Sequence, residues 1–520
     1  MSTGRQSYDV IVVGAGSAGA VVARRLVDGG ARVLLLEAGG VDENPAIHDP
    51  RRVHELWDAP EDWGYRTTPQ LHAAGRQLHW PRGRVLGGSS SLNGMIWVRG
   101  APADYDHWAY LGNAGWSWND VLPIFLAMED FDQGPSKLHG AGGLTHIHTR
   151  YELDPIHASI EAAALESGIA FNPDYNGERL EGISRVQFSI RDGMRQSTAG
   201  AYLQAVSDDA RLTIRTRAEV RHLRFDGGRC TGVTWEEDSR LESATADQGV
   251  VICAGTIASP QVLLASGIGP ADELRALGIE VVVDLPGVGR NLHDHLLSPV
   301  IFSAEREIGP PSEGLPACQT HLFSHSSAGL LAPDLQPVHF LVPLYEPWMV
   351  GPSNGFSLMA GMIRPASRGS IRLIGPDPAE GVLIDSATLR CASDLDRLVT
   401  AIELCREYGA APALREWGAH ELYPGPDVRT AAEIRDYARR SAITYHHQVG
   451  TCKMGIDADA VVDARLSVYG VEGLKVADAS VMPAVTSGNT NAPAILIGER
   501  AAAFMLEDAS HGSPPWSAAD

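Results

Sequence analysis

Hydrophobic residues near the start of the chain form two short uninterrupted runs, Val10–Val13 and Val33–Leu36, separated by an amphipathic segment that extends to Leu26. Runs of four β-branched or aliphatic residues are typical of parallel strands that are buried on both faces. The apolar positions between the runs follow the period of a helix. The pattern therefore predicts a strand, a helix and a second strand, the first unit of an α/β domain.

The turn between the first predicted strand and the helix is rich in glycine. Gly14, Gly16 and Gly19 have the spacing G-x-G-x-x-G. The first glycine permits a tight turn, the second lets a pyrophosphate approach the backbone, and the third lets the helix pack on the strand. The helix N-terminus would then face the phosphates with free N–H groups. The alternative is a glycine-rich turn in an ordinary βαβ unit.

An acidic residue, Glu37, follows the second strand and lies 18 residues after Gly19. Its carboxylate can accept hydrogen bonds from the hydroxyl groups of a ribose. An acid at this position favours an unphosphorylated adenosine ribose, and therefore FAD or NAD rather than NADP. The strand, the glycines, the helix and this acid together favour nucleotide binding over the ordinary turn.

Weaker periodic patterns predict the other secondary structure. Predicted helices span Pro155–Ser167, Asp394–Tyr408, Ala431–Arg440 and Ala494–Ala503, the last of them opened by Pro493. Predicted strands span Arg211–Arg217, Glu219–Phe225, Cys230–Trp235, Gln248–Cys253, Val338–Val342 and Gly369–Leu373. Residues 40–80 lack clear periodicity, and their aromatic side chains either pack in a core or line a pocket: Trp57, Trp63, Tyr65 and Trp80.

Composition narrows the class of protein. The 520 residues, of which 44% are hydrophobic, suffice for the cores of two or three domains. The net charge of −22 argues against a nucleic-acid partner, and the chain has no stretch of about 20 consecutive apolar residues that would span a membrane. Six cysteines without paired spacing, and a short polar stretch before the first strand in place of a signal peptide, favour a reduced cytoplasmic protein.

A second glycine-rich segment, Arg82–Met95, carries two adjacent glycines followed by three serines. Such small residues let a flat cofactor approach the main chain closely. With the opening motif, this segment resembles the glucose-methanol-choline (GMC) family of FAD-dependent alcohol oxidoreductases. Further stretches similar to the family are 104–108, 115–118, 255–270, 287–295, 445–452, 476–480 and 488–493.

The resemblance implies an α/β fold in which a Rossmann-like FAD-binding domain is interleaved in sequence with a second, α+β domain for the substrate, built on a mostly antiparallel sheet. The implied FAD-binding domain comprises residues 1–145, 191–300 and 441–510, and the substrate-binding domain comprises 146–190 and 301–440. We expect residues 511–520 to be a disordered tail.

The implied cofactor is FAD, bound without a covalent link. Some family members attach the flavin through a histidine just before the asparagine of the second glycine-rich segment, where this chain has Leu92. The implied cofactor-binding residues are Gly14, Gly16, Ser17, Ala18, Gly19, Glu37, Ala38, Arg84, Gly87, Gly88, Ser89, Asn93, Gly94, Met95, Val220, Ala254, Asp478, Ala479, Asn491 and Ala492.

The resemblance also implies the catalytic residues. His447 occupies the position of the family's catalytic histidine, and imidazole titrates in the right range to take the proton of an alcohol. His446 occupies the variable neighbouring position in the substrate pocket, and Asn491 occupies that of a second catalytic His or Asn. No metal is predicted: His446 and His447 would point to opposite faces of a strand, and only His293 and His295 could share a face.

The predicted function is FAD-dependent oxidation of an alcohol to an aldehyde or ketone by hydride transfer, with His447 as the base. The electron acceptor is O₂ or another compound. The substrate is choline-like, an uncharged aliphatic or aryl alcohol, or a sugar, with uncharged alcohols favoured over choline. An NAD-dependent reductase and a nucleotide- or flavin-binding protein without turnover are the alternatives; His447 with Asn491 argues against the second. Oligomeric state is left open.

Overall fold

The computed structural model describes residues 7–510, so the predicted tail, residues 511–520, lies outside the described residues. Two large sheets organise this part of the chain, and helices pack on both. Helices span Gly19–Asp28, Pro45–His48, Pro102–Tyr110, Trp118–Met128, Pro155–Glu166, Gly255–Ala265, Ala271–Ala276, Ala392–Gly409, Pro412–Arg415, Ala431–Ser441 and Asn491–Ser510. Short 3₁₀ helices span Pro50–Leu56, Leu71–Ala73, Gly88–Ser91, Gln204–Val206, Pro378–Glu380 and Ala479–Val481, and one π-helical turn spans Ala199–Leu203.

The first sheet is built around the strand Ser7–Val13, whose last four residues are buried. This strand pairs in parallel with Val33–Leu36 on one side and with Arg240–Ile252 on the other. Its strands, in spatial order, are Leu212–Arg215, Val33–Leu36, Ser7–Val13, Arg240–Ile252, Arg229–Glu237 and Glu219–Asp226, with Leu474–Val476 also paired to Arg240–Ile252.

The strand Arg240–Ile252 belongs to two different environments. Its first half pairs antiparallel with Arg229–Glu237 and is largely exposed. Its last residues are buried and pair in parallel with Leu474–Val476. The sequence predicted only the second part, as Gln248–Cys253, because an uninterrupted apolar run occurs only where both faces of the sheet are covered.

The second sheet is antiparallel throughout. Its strands, in spatial order, are His420–Tyr423, Leu296–Ser303, Gly355–Met362, Val338–Phe340, Thr320–Phe323 and Gly182–Arg185, with Ile443–Thr444 paired to Leu296–Ser303. The helix Ala392–Gly409 packs on two of these strands. A buried apolar cluster, which includes Leu358 and Leu398, lies between the helix and the sheet.

Within residues 7–510, the remaining strands form five small two-stranded sheets. Their pairs are Tyr65–Arg66 with His79–Trp80, Glu129–Phe131 with Thr145–Ile147, Ile190–Arg191 with Met194–Arg195, Ile268–Gly269 with Val283–Asp284, and Ser370–Leu373 with Val382–Asp385. Among residues 7–510 there is no helix both long and apolar enough to cross a membrane.

The final helix starts earlier than the sequence predicted, at Asn491 rather than Ala494. Pro493 is compatible with this start because the first helical turn has no intrahelical use for its missing N–H. The helix packs against Gly19–Asp28, and the approach is close: a Cβ atom on Gly498 would lie 2.6 Å from the carbonyl oxygen of Ala18. This packing brings the start of the last helix to the first glycine-rich turn.

The predicted fold class is confirmed: a parallel nucleotide-binding sheet is combined with a second, antiparallel sheet in one chain. Strands of the first sheet lie within 7–252 and 474–476, and those of the second lie within 182–185 and 296–444. The domain boundaries given above stay a prediction.

Candidate active site

A cavity of about 820 Å³ lies where the carboxyl ends of the first sheet's strands meet the second sheet. Val13 and Leu36, the last residues of two parallel strands, line one end. Val338 and Met359 of the antiparallel sheet line the other. The volume is in the upper part of the range for cofactor and small-molecule sites.

Glu37 lies at the first end of the cavity and is almost completely buried. Its two carboxylate oxygens accept hydrogen bonds from the backbone N–H groups of Ala15 and Gly39, both at 2.9 Å. Burial raises the pKa of Glu37 to about 7, although these N–H groups act in the opposite direction. Each oxygen keeps a lone pair for a hydroxyl donor, which is the arrangement expected for a ribose site.

The glycine-rich turn fits a pyrophosphate next to this acid. Among the described residues, no side chain caps the helix that begins at Gly19. The positive end of its dipole therefore has no side-chain acceptor and favours an anion. A Cβ atom on Gly88 would lie 2.7 Å from the Cα of Gly16, so the two glycine-rich segments touch here. These residues fit the phosphate and ribose groups of FAD.

Val220 is brought to the same end of the cavity by backbone hydrogen bonds just before its strand. Ala218 donates to the carbonyl of Glu37 at 2.8 Å, and Arg217 donates to the carbonyl of Gly39 at 2.7 Å. Val220, at the start of the strand Glu219–Asp226, therefore lines the cavity beside Glu37. That position suits the adenine next to the ribose.

Asp478 lines the cavity and connects two segments of its wall. Its carboxylate accepts hydrogen bonds from the N–H of Gly255 at 2.9 Å, the hydroxyl of Ser259 and the N–H of Ser480. Burial raises the pKa of Asp478. The carboxylate thereby joins the end of the strand Leu474–Val476 to the start of the helix Gly255–Ala265, so that Ala254 and Ala479 line one wall.

Most of the predicted cofactor residues line the cavity. They are Gly14, Gly16, Ser17, Ala18, Glu37, Ala38, Gly88, Ser89, Asn93, Gly94, Val220, Ala254, Asp478, Ala479 and Asn491. The others lie just outside this wall: Gly19, Arg84, Gly87, Met95 and Ala492.

The residues outside the wall support those that form it. Gly19 packs against the turn, since a Cβ atom there would lie 1.9 Å from the carbonyl oxygen of Gly14. Gly87 donates its N–H to the carbonyl of Ala15 at 2.9 Å. The Arg84 guanidinium lies over the ring of Trp63, with 4.6 Å from its carbon to the ring centroid.

Further support comes from Met95, which donates its N–H to the side-chain oxygen of Asn93 at 2.9 Å, and from Ala492, which is buried in the first turn of the last helix. Leu92 lines the cavity and is buried among aliphatic residues that include Ile47 and Leu56.

His447 lies at the second end of the cavity, and each of its ring nitrogens has a partner. Nδ1 is 3.0 Å from Nδ1 of His295, and Nε2 is 3.0 Å from Nδ2 of Asn489. The ring also stacks on Tyr445, with 4.5 Å between centroids. Burial, and secondarily His295, lower the pKa of His447 well below its usual value, so its imidazole is neutral at pH 7.

The backbone around His447 is held by a buried carboxylate, Asp294. One oxygen of Asp294 accepts the N–H of His447 at 2.8 Å, and the other accepts the hydroxyl of Thr444 and the amide of Gln448. Burial raises the pKa of Asp294 to about 7. The sequence marked this loop as similar to the family but did not identify Asp294 or His295 as site residues.

The sequence predicted that His446 and His447 alternate across a strand, but in the structure they do not. The strand ends at Thr444, and His446 has a positive φ of 66°. Both side chains line the cavity: His446 lies 5.0 Å from Trp57 between ring centroids, while His447 faces Asn489. Because the backbone at His446 is left-handed rather than extended, the two neighbouring side chains need not point to opposite faces, and both reach the cavity.

Asn491 and His447 are not brought together. The side-chain oxygen of Asn491 accepts a hydrogen bond from the hydroxyl of Ser17 at 2.7 Å, at the glycine-rich turn. The asparagine beside His447 is Asn489, two residues earlier. Asn491 is the first residue of the last helix, and Asn489 precedes that helix. The Asn491 side chain therefore faces the glycine-rich turn, whereas the Asn489 side chain faces His447.

The structure also locates the aromatic residues of segment 40–80 and the two histidines beside Asp294. Trp57, Trp63 and Tyr65 line the cavity, whereas Trp80 packs in a core. His293 does not share partners with His295: its ring nitrogens contact the carbonyl of Asn291 and the N–H of Val485.

The chain is similar to known proteins over nearly its whole length. The chain matches two family models described as GMC oxidoreductase, over residues 8–297 and 365–498. It is 37% identical over 531 aligned positions to the alcohol dehydrogenase [acceptor] of Pseudomonas putida, with 96% of each chain covered. It is also 37% identical to the oxygen-dependent choline dehydrogenase of Brucella anthropi, covering 96% of this chain and 95% of that protein.

A solved structure is similar over nearly its whole length. The crystal structure of pyridoxine 4-oxidase from Mesorbium loti has a TM-score of 0.91 and 36% identity, covering 95% of this chain and 98% of that one. The family models, the relatives and this structure thus agree on the class of protein.

The first prediction concerns how FAD is attached. Because Leu92 offers no nucleophile beside the cavity, acid precipitation of the purified protein should leave all the flavin absorbance in the supernatant. Flavin absorbance in the washed pellet would show a covalent link elsewhere in the site.

The second prediction concerns Glu37. Glu37→Ala should weaken FAD binding by about 1.5–3 kcal/mol, because it removes charged acceptors from the ribose and leaves two N–H groups without their carboxylate. Titration of the apoprotein with FAD measures the change. Glu219→Ala is the control, since that carboxylate also lines the cavity but pairs with Arg84 and Arg221. Equal affinities of the Glu37→Ala and wild-type proteins would remove Glu37 from the ribose site.

Proposed function

The chain belongs to the GMC oxidoreductase family, FAD-dependent enzymes that act on CH–OH donors, and we propose that it oxidises an uncharged alcohol to an aldehyde or ketone with His447 as the base. The observation that carries the proposal is the pair of polar atoms at the second end of the cavity. Nε2 of His447 and Nδ2 of Asn489 lie 3.0 Å apart, among buried apolar side chains.

The proton of the alcohol goes to His447. Its imidazole is neutral because it is buried, and the lone pair on Nε2, which faces the Asn489 amide in this structure, accepts the hydroxyl proton when that amide donates to the substrate oxygen instead. Bound FAD would supply the acceptor for the hydride from the α-carbon, so the substrate would lose one proton and one hydride and become a carbonyl compound. The protonated imidazole then stabilises the negative charge that develops on the substrate oxygen.

Asn489 takes the role of second polar residue in this proposal, in place of Asn491. Its amide N–H can donate to the substrate oxygen without competing for the proton. Asn491 stays a cofactor-side residue, because its side chain bonds Ser17 at the glycine-rich turn. His295 and Asp294 act as positioning residues: the first contacts Nδ1 of His447, and the second holds its backbone N–H.

An uncharged substrate is favoured by the lining around His447. Leu297, Met359 and Tyr445 belong to one buried apolar cluster there, and all three line the cavity. Elsewhere on the wall, Glu346 pairs with Arg76. Glu219 pairs with arginines as well, and Glu37 and Asp478 are occupied by backbone and hydroxyl donors. Among the carboxylates that line the described cavity, each already has a partner, which disfavours a cationic substrate such as choline.

The second half of the reaction is left open in this proposal. Among the relatives, one carries the name alcohol dehydrogenase [acceptor], one is called oxygen-dependent and one is an oxidase. We infer that O₂ or another compound reoxidises the enzyme. We also retain a cytoplasmic location as part of the proposal, supported by six cysteines that are all free thiols in the structure.

The third prediction tests the two polar residues. His447→Ala should keep FAD bound and slow flavin reduction by about 10²- to 10⁴-fold, because the proton acceptor is lost. Asn489→Ala should slow it by about 10- to 10³-fold, because one hydrogen bond to the oxygen is lost. Anaerobic stopped-flow reduction measures both. Asn491→Ala is the matched control and should change FAD affinity more than the reduction rate; a larger loss of rate in Asn491→Ala than in Asn489→Ala would reverse the assignment.

The same measurements give a pH profile. Since burial lowers the pKa of His447 below 6.5, the base is unprotonated at and above neutral pH. Protonation of His447 should therefore leave the wild-type reduction rate constant from neutral pH upward and lower it only on the acid side of 6.5, so that any change near pH 7 reports Asp294, whose pKa is about 7. The acid limb should be absent in His447→Ala.

The fourth prediction concerns charge in the substrate. Choline and its uncharged isostere 3,3-dimethylbutan-1-ol have nearly the same shape, so they isolate the effect of the positive charge. We expect the isostere and benzyl-type alcohols to reduce the flavin faster than choline does, because the apolar lining gives an ammonium group no anionic partner. Faster anaerobic reduction by choline would contradict an uncharged substrate class while leaving alcohol oxidation intact.

A further inference from the structure

The side chain of Gln336 reaches the catalytic pair from the antiparallel sheet. Gln336 is fully buried and lies two residues before the strand that begins at Val338. Its backbone N–H donates to the carbonyl of Gly361 at 2.9 Å, which fixes the segment to the neighbouring strand. Its side-chain Nε2 donates to Oδ1 of Asn489 at 3.0 Å and lies 3.3 Å from Nδ1 of His321.

This hydrogen bond determines which atom of Asn489 faces His447. An amide side chain has one acceptor atom and one donor group, and Gln336 uses the acceptor. The donor, Nδ2, is therefore directed at Nε2 of His447. An N–H that points at Nε2 requires a lone pair there, so the ring hydrogen must be on Nδ1, which faces Nδ1 of His295.

We propose that Gln336 is a positioning residue that fixes the tautomer of His447, keeping the lone pair on Nε2, where the proposed function needs it. Gln336 does not line the cavity, and it acts on the base through Asn489. The inference rests on the role of His447 as the base.

The orientation of the Gln336 amide is itself favoured by burial. Its Oε1 is buried without a hydrogen-bond partner among the described residues. If the amide were reversed, its two N–H groups would occupy that place, and two unsatisfied donors would replace one unsatisfied acceptor. Buried polar groups without partners cost free energy, so the orientation with Nε2 toward Asn489 costs less at this residue.

The decisive variant is Gln336→Glu, which has nearly the same shape. An ionised carboxylate only accepts hydrogen bonds, so Asn489 would have to turn its N–H toward residue 336 and its oxygen toward His447. Nε2 would then carry the hydrogen, and the base would be blocked. A protonated carboxyl group can still donate to Asn489, so the native arrangement should return at lower pH.

Gln336→Glu should therefore change the pH profile in a particular direction. Flavin reduction should become slower as pH rises, by at least about tenfold at high pH, whereas the wild-type rate stays constant. The titratable group in contact with Gln336 is His321, a buried histidine whose pKa burial lowers to about 3, so it does not titrate in this range. FAD absorbance and thermal unfolding verify that the holoenzyme is intact.

Gln336→Met removes the amide without adding charge. It should slow reduction by about 2- to 10-fold and leave the shape of the pH profile unchanged, because Asn489 becomes free to turn either way. The matched control is Gln319→Met, since Gln319 is also fully buried but bonds Asp154. Gln319→Met should keep the wild-type reduction rate and pH profile. If Gln336→Glu does not fold, Gln336→Met and its control decide the comparison of rates.

A second readout does not depend on turnover. In ¹⁵N-histidine-labelled holoenzyme without substrate, the His447 signals, identified by their loss in His447→Gln, should show hydrogen on Nδ1 and none on Nε2. In Gln336→Glu at high pH, the hydrogen should instead be on Nε2 and absent from Nδ1. Hydrogen on Nε2 in the wild type, or wild-type rates and pH profiles in both Gln336 variants, would overturn the inference. Failure of every alcohol to reduce the wild-type flavin would instead refute the proposed function, and the tautomer would still be measurable.

Discussion

The site depends on the register of four parallel strands. Val13 pairs with Leu36 on one side and with Ile252 on the other, and Ile252 pairs with Val476, so these residues form one row across the sheet. Each strand ends at this row. The residues that follow it are Gly14, Glu37, Cys253 with Ala254, and Ala477 with Asp478, and the cavity lies along them. Because side chains alternate along a strand, a slip of one residue in any pair would exchange the two buried faces of that strand and move these residues out of line.

The two ends of the cavity use burial in opposite ways. At the first end, Glu37 is buried but surrounded by N–H donors, so a carboxylate is available to a ribose even though burial opposes its charge. At the second end, burial keeps His447 and His295 neutral. A neutral imidazole is the form that accepts a proton, so desolvation alone would prepare His447 for its proposed role as the base without a charged partner. The same desolvation would penalise a cationic substrate that brought no counterion.

The cofactor end was predictable from the sequence because its signals are local. The glycines, the helix and Glu37 lie within 24 residues of one another, and strand and helix periods fix their relative positions. The end of the cavity near His447 could not be predicted in the same way. Whether Asn489 or Asn491 faces His447 depends on where the last helix begins, and helix starts are the least certain part of a sequence pattern. The contact between Gln336 and Asn489 joins residues that are far apart in the chain, and no sequence spacing predicts it.

The position of His447, the proposed base, relative to the rest of the cavity depends on both sheets at once. The segment that carries His447 is tied to the first sheet's helix by hydroxyl groups, because Thr256 donates to the carbonyl of Gln448 and Thr451 donates to that of Thr256. It is tied to the start of the second sheet by Asp294. Neither sheet alone would fix the imidazole. An enzyme in which proton and hydride leave the same substrate needs both acceptors at set distances, and a short segment bonded to both sheets provides that constraint without a continuous strand between them.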